Sequence, residues 1–276
     1  MSDPFKISGP TCISFSGGRT SAYMLWRTLQ SNNGLPSEAR VCFQNTGKER
    51  EETLKFVNEC SVRWGVDISW LEFRDTPERF EKVSFETASR NGEPFEAIIR
   101  KRKYLPNPLV RFCTADLKIK TCHKYLKSLG WKEWESWLGI RADEQRRLAK
   151  IKNQDYGRHE TKYAPCGIAG VTKHDVAKFW REQPFDLELI NINGETPWGN
   201  CDLCFLKNTN KVMSLISREP ERALWWAKME TISMPNKPSG FFFRTDRPSY
   251  QAMLDATNRQ IDMFDSSEDI SCFCGD

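Results

Sequence analysis

Cysteine is the first residue type to account for, because its ten copies are unevenly spaced. Cys201-Asp-Leu-Cys204 is a C-x-x-C pair behind Gly199, and Cys272-Phe-Cys274 is a C-x-C pair in a polar stretch. Cys113 stands beside a loop signal, ahead of a helix-like run. A C-x-x-C pair serves zinc, a redox dithiol or an iron–sulfur cluster. Zinc asks for two more ligands, and the chain has only three His, of which His174 falls at a helix opening that reads as surface. Four thiolates suit a four-iron–four-sulfur (4Fe–4S) cluster. Cys113, Cys201, Cys204 and one of Cys272 or Cys274 make up such a set, with zinc or free thiols as the alternatives. Cys272 and Cys274 are also the candidates for a catalytic nucleophile. Cys12 and Cys42 lie in apolar strand-like runs, and Cys60 and Cys122 in helix-like ones; all four read as small buried hydrophobes.

A second chemistry is anion binding. Ser16-Gly-Gly-Arg-Thr-Ser21 links a strand-like run to a helix-like one. Two adjacent glycines offer positive φ and close backbone approach, and a helix N-terminus behind them presents free N–H groups to a phosphate. The G-x-x-x-x-G-K spacing of the common nucleotide hydrolases is absent. Arg141, Arg146 and Arg147 follow Gly139, and their planar forks suit sulfate or phosphate, although a solvated charged loop would look the same. Asn45-Thr-Gly47 reads equally well as a plain turn.

Alternating strands and helices must position these groups. Strands are expected at 11–15, 40–44, 67–73 and 135–140, with helices at 20–30, 51–64 and 115–129. Residues 75–112 read as a mixed excursion broken by Pro94, Pro106 and Pro108. Beyond about residue 150 the pattern turns helical, at 172–180, 211–218, 219–230 and 248–262. Such alternation predicts an α/β fold with a parallel sheet covered on both faces, whose ligands bind beyond the carboxyl ends of the strands.

The motifs resemble a known family in several places. Ser14-Phe-Ser-Gly-Gly-Arg-Thr-Ser21 is similar to the pyrophosphate loop of the adenine-nucleotide alpha-hydrolase (PP-loop) superfamily. Residues 43–54 resemble the D-T-G-x-x-x-x-E-T segment of phosphoadenylyl-sulfate (PAPS) reductases, with Asn45 at the usual Asp. Residues 113–120 resemble their C-x-x-x-R-K-V stretch, and 139–147 their G-x-R-x-x-Q-x-x-R loop. Residues 164–176 look like their P-L-x-x-W-T-x-x-D-V segment, and Gly199 to Cys204 stands where adenylyl-sulfate reductases carry G-C-x-x-C.

The resemblance implies a parallel-sheet sandwich of adenine-nucleotide alpha-hydrolase type with a C-terminal helical subdomain. Residues 1–208 would form the nucleotide-binding domain and 209–276 a helical extension with the Cys-x-Cys tail. It also implies a nucleotide site made of Ser14, Ser16, Gly17, Gly18, Arg19, Thr20, Ser21, Asn45, Thr46, Gly47, Glu49, Gly139, Arg141, Arg146 and Arg147. Cys113 and the C-x-x-C pair would be cluster ligands. Thr20 replaces the Asp that helps ATP-cleaving members hold magnesium, and Cys272-Phe-Cys-Gly-Asp276 replaces the E-C-G-L-H motif of PAPS reductases.

Three activities stay open. A nucleotide-dependent sulfur-transfer (thiolation-type) enzyme would use ATP, with magnesium as a possible helper, a sulfur donor protein and a nucleic-acid acceptor. A PAPS or adenylyl-sulfate reductase would release sulfite and use thioredoxin. A non-catalytic nucleotide-binding regulator would keep only a structural metal. The formal charge of +4 is too small to argue for nucleic acid by itself. No apolar run approaches the roughly 20 residues a membrane helix needs, and no signal pattern opens the chain, so a cytoplasmic protein with no membrane partner is expected.

Overall fold

The computed structural model describes residues 3–152, 159–190, 196, 198–199, 201–232 and 242–265, with the backbone alone for 152 and 260–265. The chain divides into two compact units, Met1–Lys101 with Phe112–Asp202, and Arg102–Arg111 with Leu203–Asp276.

The first unit is built on a six-stranded sheet of order β4-β3-β2-β1-β5-β6. Its strands are β1 (Thr11–Ser14), β2 (Ala39–Asn45), β3 (Ile68–Glu72), β4 (Glu81–Val83), β5 (Trp134–Leu138) and β6 (Glu160–Tyr163). All neighbours are parallel except β4, which runs antiparallel to β3. β1 pairs with β2 on one side and β5 on the other, so the strand order reverses beside it. That reversal opens a crevice at the carboxyl ends.

Alternation along the strands sends side chains to two cores. Ile13, Val41, Phe43, Ile68, Trp70 and Trp137 pack with α1 (Arg19–Asn32), α2 (Glu51–Trp64) and the later helix α7 (Lys173–Arg181). Cys12, Cys42, Leu71 and Trp134 face the other way, against Cys122, Tyr125 and Leu126 of α4 (Thr121–Ser128). Thr172 caps α7 through a capping box with Asp175, its hydroxyl accepting from the Asp175 amide.

Several sequence expectations change. Pro94 does not break the 75–112 excursion; it sits in the first turn of α3 (Glu93–Arg102), where proline lacks an N–H that would be unpaired anyway. The run expected as one helix from 115 starts as a π-helix, Cys113–Lys120, and continues as α4. Arg146 and Arg147 are not in a loop but on α5 (Gln145–Lys152). β4, β6 and α6 (Pro165–Ile168) lay outside the expectation, because β4 and β6 are short edge strands with few apolar residues.

The described secondary structure of the second unit's C-terminal part is helical: α8 (Thr209–Arg218), α9 (Glu221–Thr231) and α10 (Tyr250–Asp265). Trp226, fully buried, packs its ring 4.9 Å from Phe243 and 5.3 Å from Tyr250. The buried Glu230 carboxylate accepts from the Tyr250 amide at 2.8 Å, while burial raises its pKa above the usual carboxylate range. Among the described residues no helix is long and apolar enough to cross a membrane. Trp226→Ala should therefore cost about 3–5 kcal/mol, read as a lower urea midpoint for the helical signal; an unchanged midpoint would mean that Trp226 does not organise this unit.

Candidate functional site

The turn after β1 is held from inside. Gly17 has φ +73°, and a Cβ there would lie 2.6 Å from Thr53 Cγ2, so only glycine fits. Gly18 is different: its backbone is extended at φ −108°, and an added Cβ would meet nothing closer than Ser16 Oγ at 3.7 Å. Positive φ is thus confined to the first of the two glycines. Ser21 Oγ accepts from the Ser16 amide at 3.2 Å and donates to Gly18 O at 2.9 Å, which fixes the loop's curvature. The first α1 bond runs from Ala22 N to Gly18 O, leaving the amides of Arg19, Thr20 and Ser21 ahead of the ladder. No acidic residue occupies that first turn, so the positive end of the helix keeps its field for an anion. Ser14 ends β1, half-buried below this turn.

Arg19 points elsewhere. Its fork grips Asp186 at 2.7 and 2.9 Å and also donates to Thr196 Oγ1 at 3.1 Å. This ties the loop to Asp186 and Thr196.

The turn after β2 is built from buried polar groups. Asn45, fully buried, donates to Glu72 Oε1 at 2.6 Å and Ser89 O at 2.8 Å, and accepts from the Gly47 amide at 3.0 Å. Glu49 accepts from both the Thr46 amide and hydroxyl at 2.8 Å. Two distant segments are fastened to the same turn. Cys201 Sγ lies 3.5 Å from Thr46 Oγ1, and Asp202 binds Lys48 through its amide (2.8 Å) and its carboxylate (3.1 Å). From the π-helix that Cys113 opens, Lys118 Nζ lies 3.6 Å from Glu49 Oε1. Among the described residues, Gln44 Nε2 is buried with no hydrogen-bond partner. A donor left so at a strand end favours an arriving acceptor.

The third loop follows β5. A Cβ on Gly139 would come within 2.9 Å of Ser21 Cα, so the two loops touch backbone to backbone. Arg141 then bridges them, donating to Thr20 Oγ1 at 3.2 Å and to Asp143 at 2.9 Å. Arg146 and Arg147 are exposed on α5, and Arg147 donates to Glu144 at 2.5 Å.

The remaining thiols divide by environment. Cys113 and Cys201 are half-buried in the first unit, and Cys204, also half-buried, belongs to the second. Cys272 and Cys274 lie outside the described residues. All three histidines are placed away from these thiols' turn: His123 meets Glu160 at 3.3 Å, His159 meets Lys132 O at 3.0 Å, and His174 is exposed on α7. Cys60 and Cys166 are core thiols, and burial pushes the Cys166 thiol up to about 12. Cys12, Cys42 and Cys122 are buried as expected, but they also converge, a feature strand and helix patterns alone do not reveal. The available signal was parity: Cys12 and Cys42 occupy the same face of neighbouring strands.

Comparison with known proteins identifies the family. The family model for the phosphoadenosine phosphosulfate reductase domain matches residues 10–188. An uncharacterized nin region protein of Escherichia phage lambda is 30% identical over 211 residues, which are 72% of this chain and 67% of that protein. An uncharacterized protein of Methanocaldococcus jannaschii is 30% identical over 139 residues, half of this chain and 24% of the archaeal one. Among solved structures, a U34-tRNA thiolase from Methanococcus maripaludis, described with its 4Fe–4S cluster, aligns over 95% of this chain and 74% of its own at 11% identity and a TM-score of 0.46.

The two loop glycines should separate in mutants. Gly17→Ala must place a side chain at positive φ, which costs about 1–2 kcal/mol, and displace Thr53 as well. Gly18→Ala should cost only about 0.5–1 kcal/mol as a change at the helix N-cap, yet weaken nucleotide binding measured by calorimetry. Equal stability losses in chemical denaturation would contradict this loop geometry.

Proposed function

The chain belongs to the phosphoadenosine phosphosulfate reductase domain family, and from that premise we propose that it is a nucleotide-dependent sulfur-transfer enzyme. One observation carries the reading: Cys201, remote in sequence, sits 3.5 Å from Thr46 in the same turn whose family counterpart handles the nucleotide. A thiol placed there brings sulfur chemistry to an anion site.

The nucleotide would occupy the carboxyl edge of β1, β2 and β5. Gly17 and Gly18 let its phosphates approach the backbone, the α1 amides donate to them, and Arg141 spans the two loops that flank them. Ser16, Thr20 and Ser21 line the loop, while Asn45, Thr46, Gly47 and Glu49 shape the neighbouring wall. Arg146 and Arg147, on exposed α5, would meet the outer anionic end of a longer substrate.

A 4Fe–4S cluster fits the donor set. The candidates are thiols, and the histidines that zinc would favour are engaged or exposed elsewhere. Cys113, Cys201, Cys204 and a thiol of the Cys272/Cys274 pair would hold it, and it would supply a soft anchor for sulfide close to the nucleotide. In the transfer itself, an oxygen of the acceptor attacks the α-phosphorus of ATP and expels pyrophosphate. Sulfide from a donor then displaces AMP from the activated acceptor, so each bond formed replaces one broken. Arg141 and the α1 amides neutralise the phosphate charge during both displacements.

A second reading, reduction of PAPS or adenylyl sulfate, is favoured by the family itself. It would need a thiolate from Cys272 or Cys274 to attack sulfur and a thioredoxin-type dithiol to reset it.

The two readings part in one assay pair. Anaerobically purified protein should release pyrophosphate from ATP when supplied with sulfide and a nucleic-acid acceptor, and no sulfite from PAPS with thioredoxin; the reverse pattern would establish the reductase. Arg141→Lys should lose about 1.5–3 kcal/mol of nucleotide affinity, the value of a charge-assisted contact. Cys201→Ser should lower the bound iron, whereas Cys166→Ser should not. Protein that contains no iron before either substitution would remove the cluster from the proposal.

A further inference from the structure

Cys12, Cys42 and Cys122 form a second thiol group, on the sheet face opposite α1, α2 and α7. Their ligand atoms all lie within 4.8 Å of one another, and Cys12 Sγ is 3.5 Å from Cys122 Sγ. The three come from three elements. Cys12 lies on β1 and Cys42 on β2, where the parallel register sets Cys42 opposite Ser14, so both thiols leave the same face two residues apart along the strands. α4 lies across that face and supplies Cys122. Leu71, Tyr125, Leu126 and Trp134 wall the group, and the exposures of the three thiols are 1%, 0% and 8%.

Three sulfurs around one metal at about 2.3 Å stand about 4 Å apart when the metal lies in their plane. The Cys12–Cys122 spacing of 3.5 Å and the 4.8 Å limit on all three pairs are compatible with that value. The donor set is thiol only, which selects soft ions such as Cu(I), zinc or an iron–sulfur cluster. Structural zinc and a 4Fe–4S cluster each take four protein ligands. Among the described residues no fourth Cys, His, Asp or Glu atom joins the set.

We propose that Cys12, Cys42 and Cys122 form a buried, three-sulfur site for a soft monovalent metal ion of the Cu(I) class. The site is separate from the nucleotide edge and does not depend on the sulfur-transfer reading. Binding forms copper–sulfur bonds and releases one proton to solvent for each thiolate made; no electron moves. Cys122, on α4, is the most exposed of the three thiols. A cavity of about 260 Å³ lies along the same helix, lined by Thr121, His123 and Lys124 among others but by none of the three thiols.

The test is an anaerobic titration of the reduced full-length protein with Cu(I) held by a chromophoric chelator. The wild-type protein should withdraw one equivalent more than a Cys12→Ala/Cys122→Ala variant, and X-ray absorption should show sulfur neighbours only. Cys42→Ala, a smaller change, should lose the same equivalent and serves as the reading if the double variant does not fold. A Cys113→Ser/Cys201→Ser/Cys204→Ser variant should keep it. Equal uptake by the wild-type protein and Cys42→Ala, or loss of the equivalent in the Cys113/Cys201/Cys204 variant, would overturn the assignment. Retention of Zn(II) in preference to Cu(I) at this site would overturn its low-coordinate character.

Discussion

Gly139 stands so close to α1 that a methyl group on it would press 2.9 Å from the Ser21 backbone. That contact forces the loop after β5 against the loop after β1, across the point where the strand order reverses. Everything proposed for the edge depends on this approach. It brings Arg141 within reach of Thr20, and it leaves the α1 amides at the mouth of the crevice. A side chain at position 139 would separate the loops, and the bridge from Arg141 would open with them. Steric closeness at the backbone sets the site, and hydrogen bonds then hold its shape.

The turn after β2 is secured in another way, by buried charge. Glu72, fully buried, accepts from Asn45, from the Ser89 amide and hydroxyl, and from Arg74 at 2.8 Å. Lys48 and Asp202, exposed 8% and 2%, form a salt bridge across 154 positions of sequence. Such pairs contribute little net stability because both ions give up their water, yet breaking one leaves an uncompensated buried charge. Their effect here is positional. They hold the segment that carries Cys201 against one turn and no other.

Much of the edge was legible in the sequence because its turns coincide with glycine and with changes of periodicity. The helix at Glu51–Trp64 follows from Leu54, Phe56, Val57 and Cys60 on one stripe, and all four are buried. The glycine pair was readable as a tight turn, but which glycine takes positive φ depends on Thr53 and Phe43, residues of later elements. Arg19 looked like a phosphate ligand because nothing local reveals Asp186. The π-helix at Cys113–Lys120 was read as ordinary helix, since its few apolar residues are too sparse to fix a period; insertions of this kind cluster at functional sites. The Cys12, Cys42 and Cys122 group escaped because each residue alone is an acceptable core thiol. Only the strand register and the lie of α4 unite them.

Asn45 shows how a departure from a family pattern becomes intelligible in three dimensions. The motif that residues 43–54 resemble has Asp at that place, and here the neutral amide donates to Glu72 at 2.6 Å while its oxygen receives the Gly47 amide. An Asp would keep the second bond but present a second carboxylate to Glu72 in a fully buried position. Two carboxylates at that distance would repel each other without water to screen them. Asn45 therefore suits a Glu72 that is already committed to Ser89 and Arg74, and the two positions are chemically coupled.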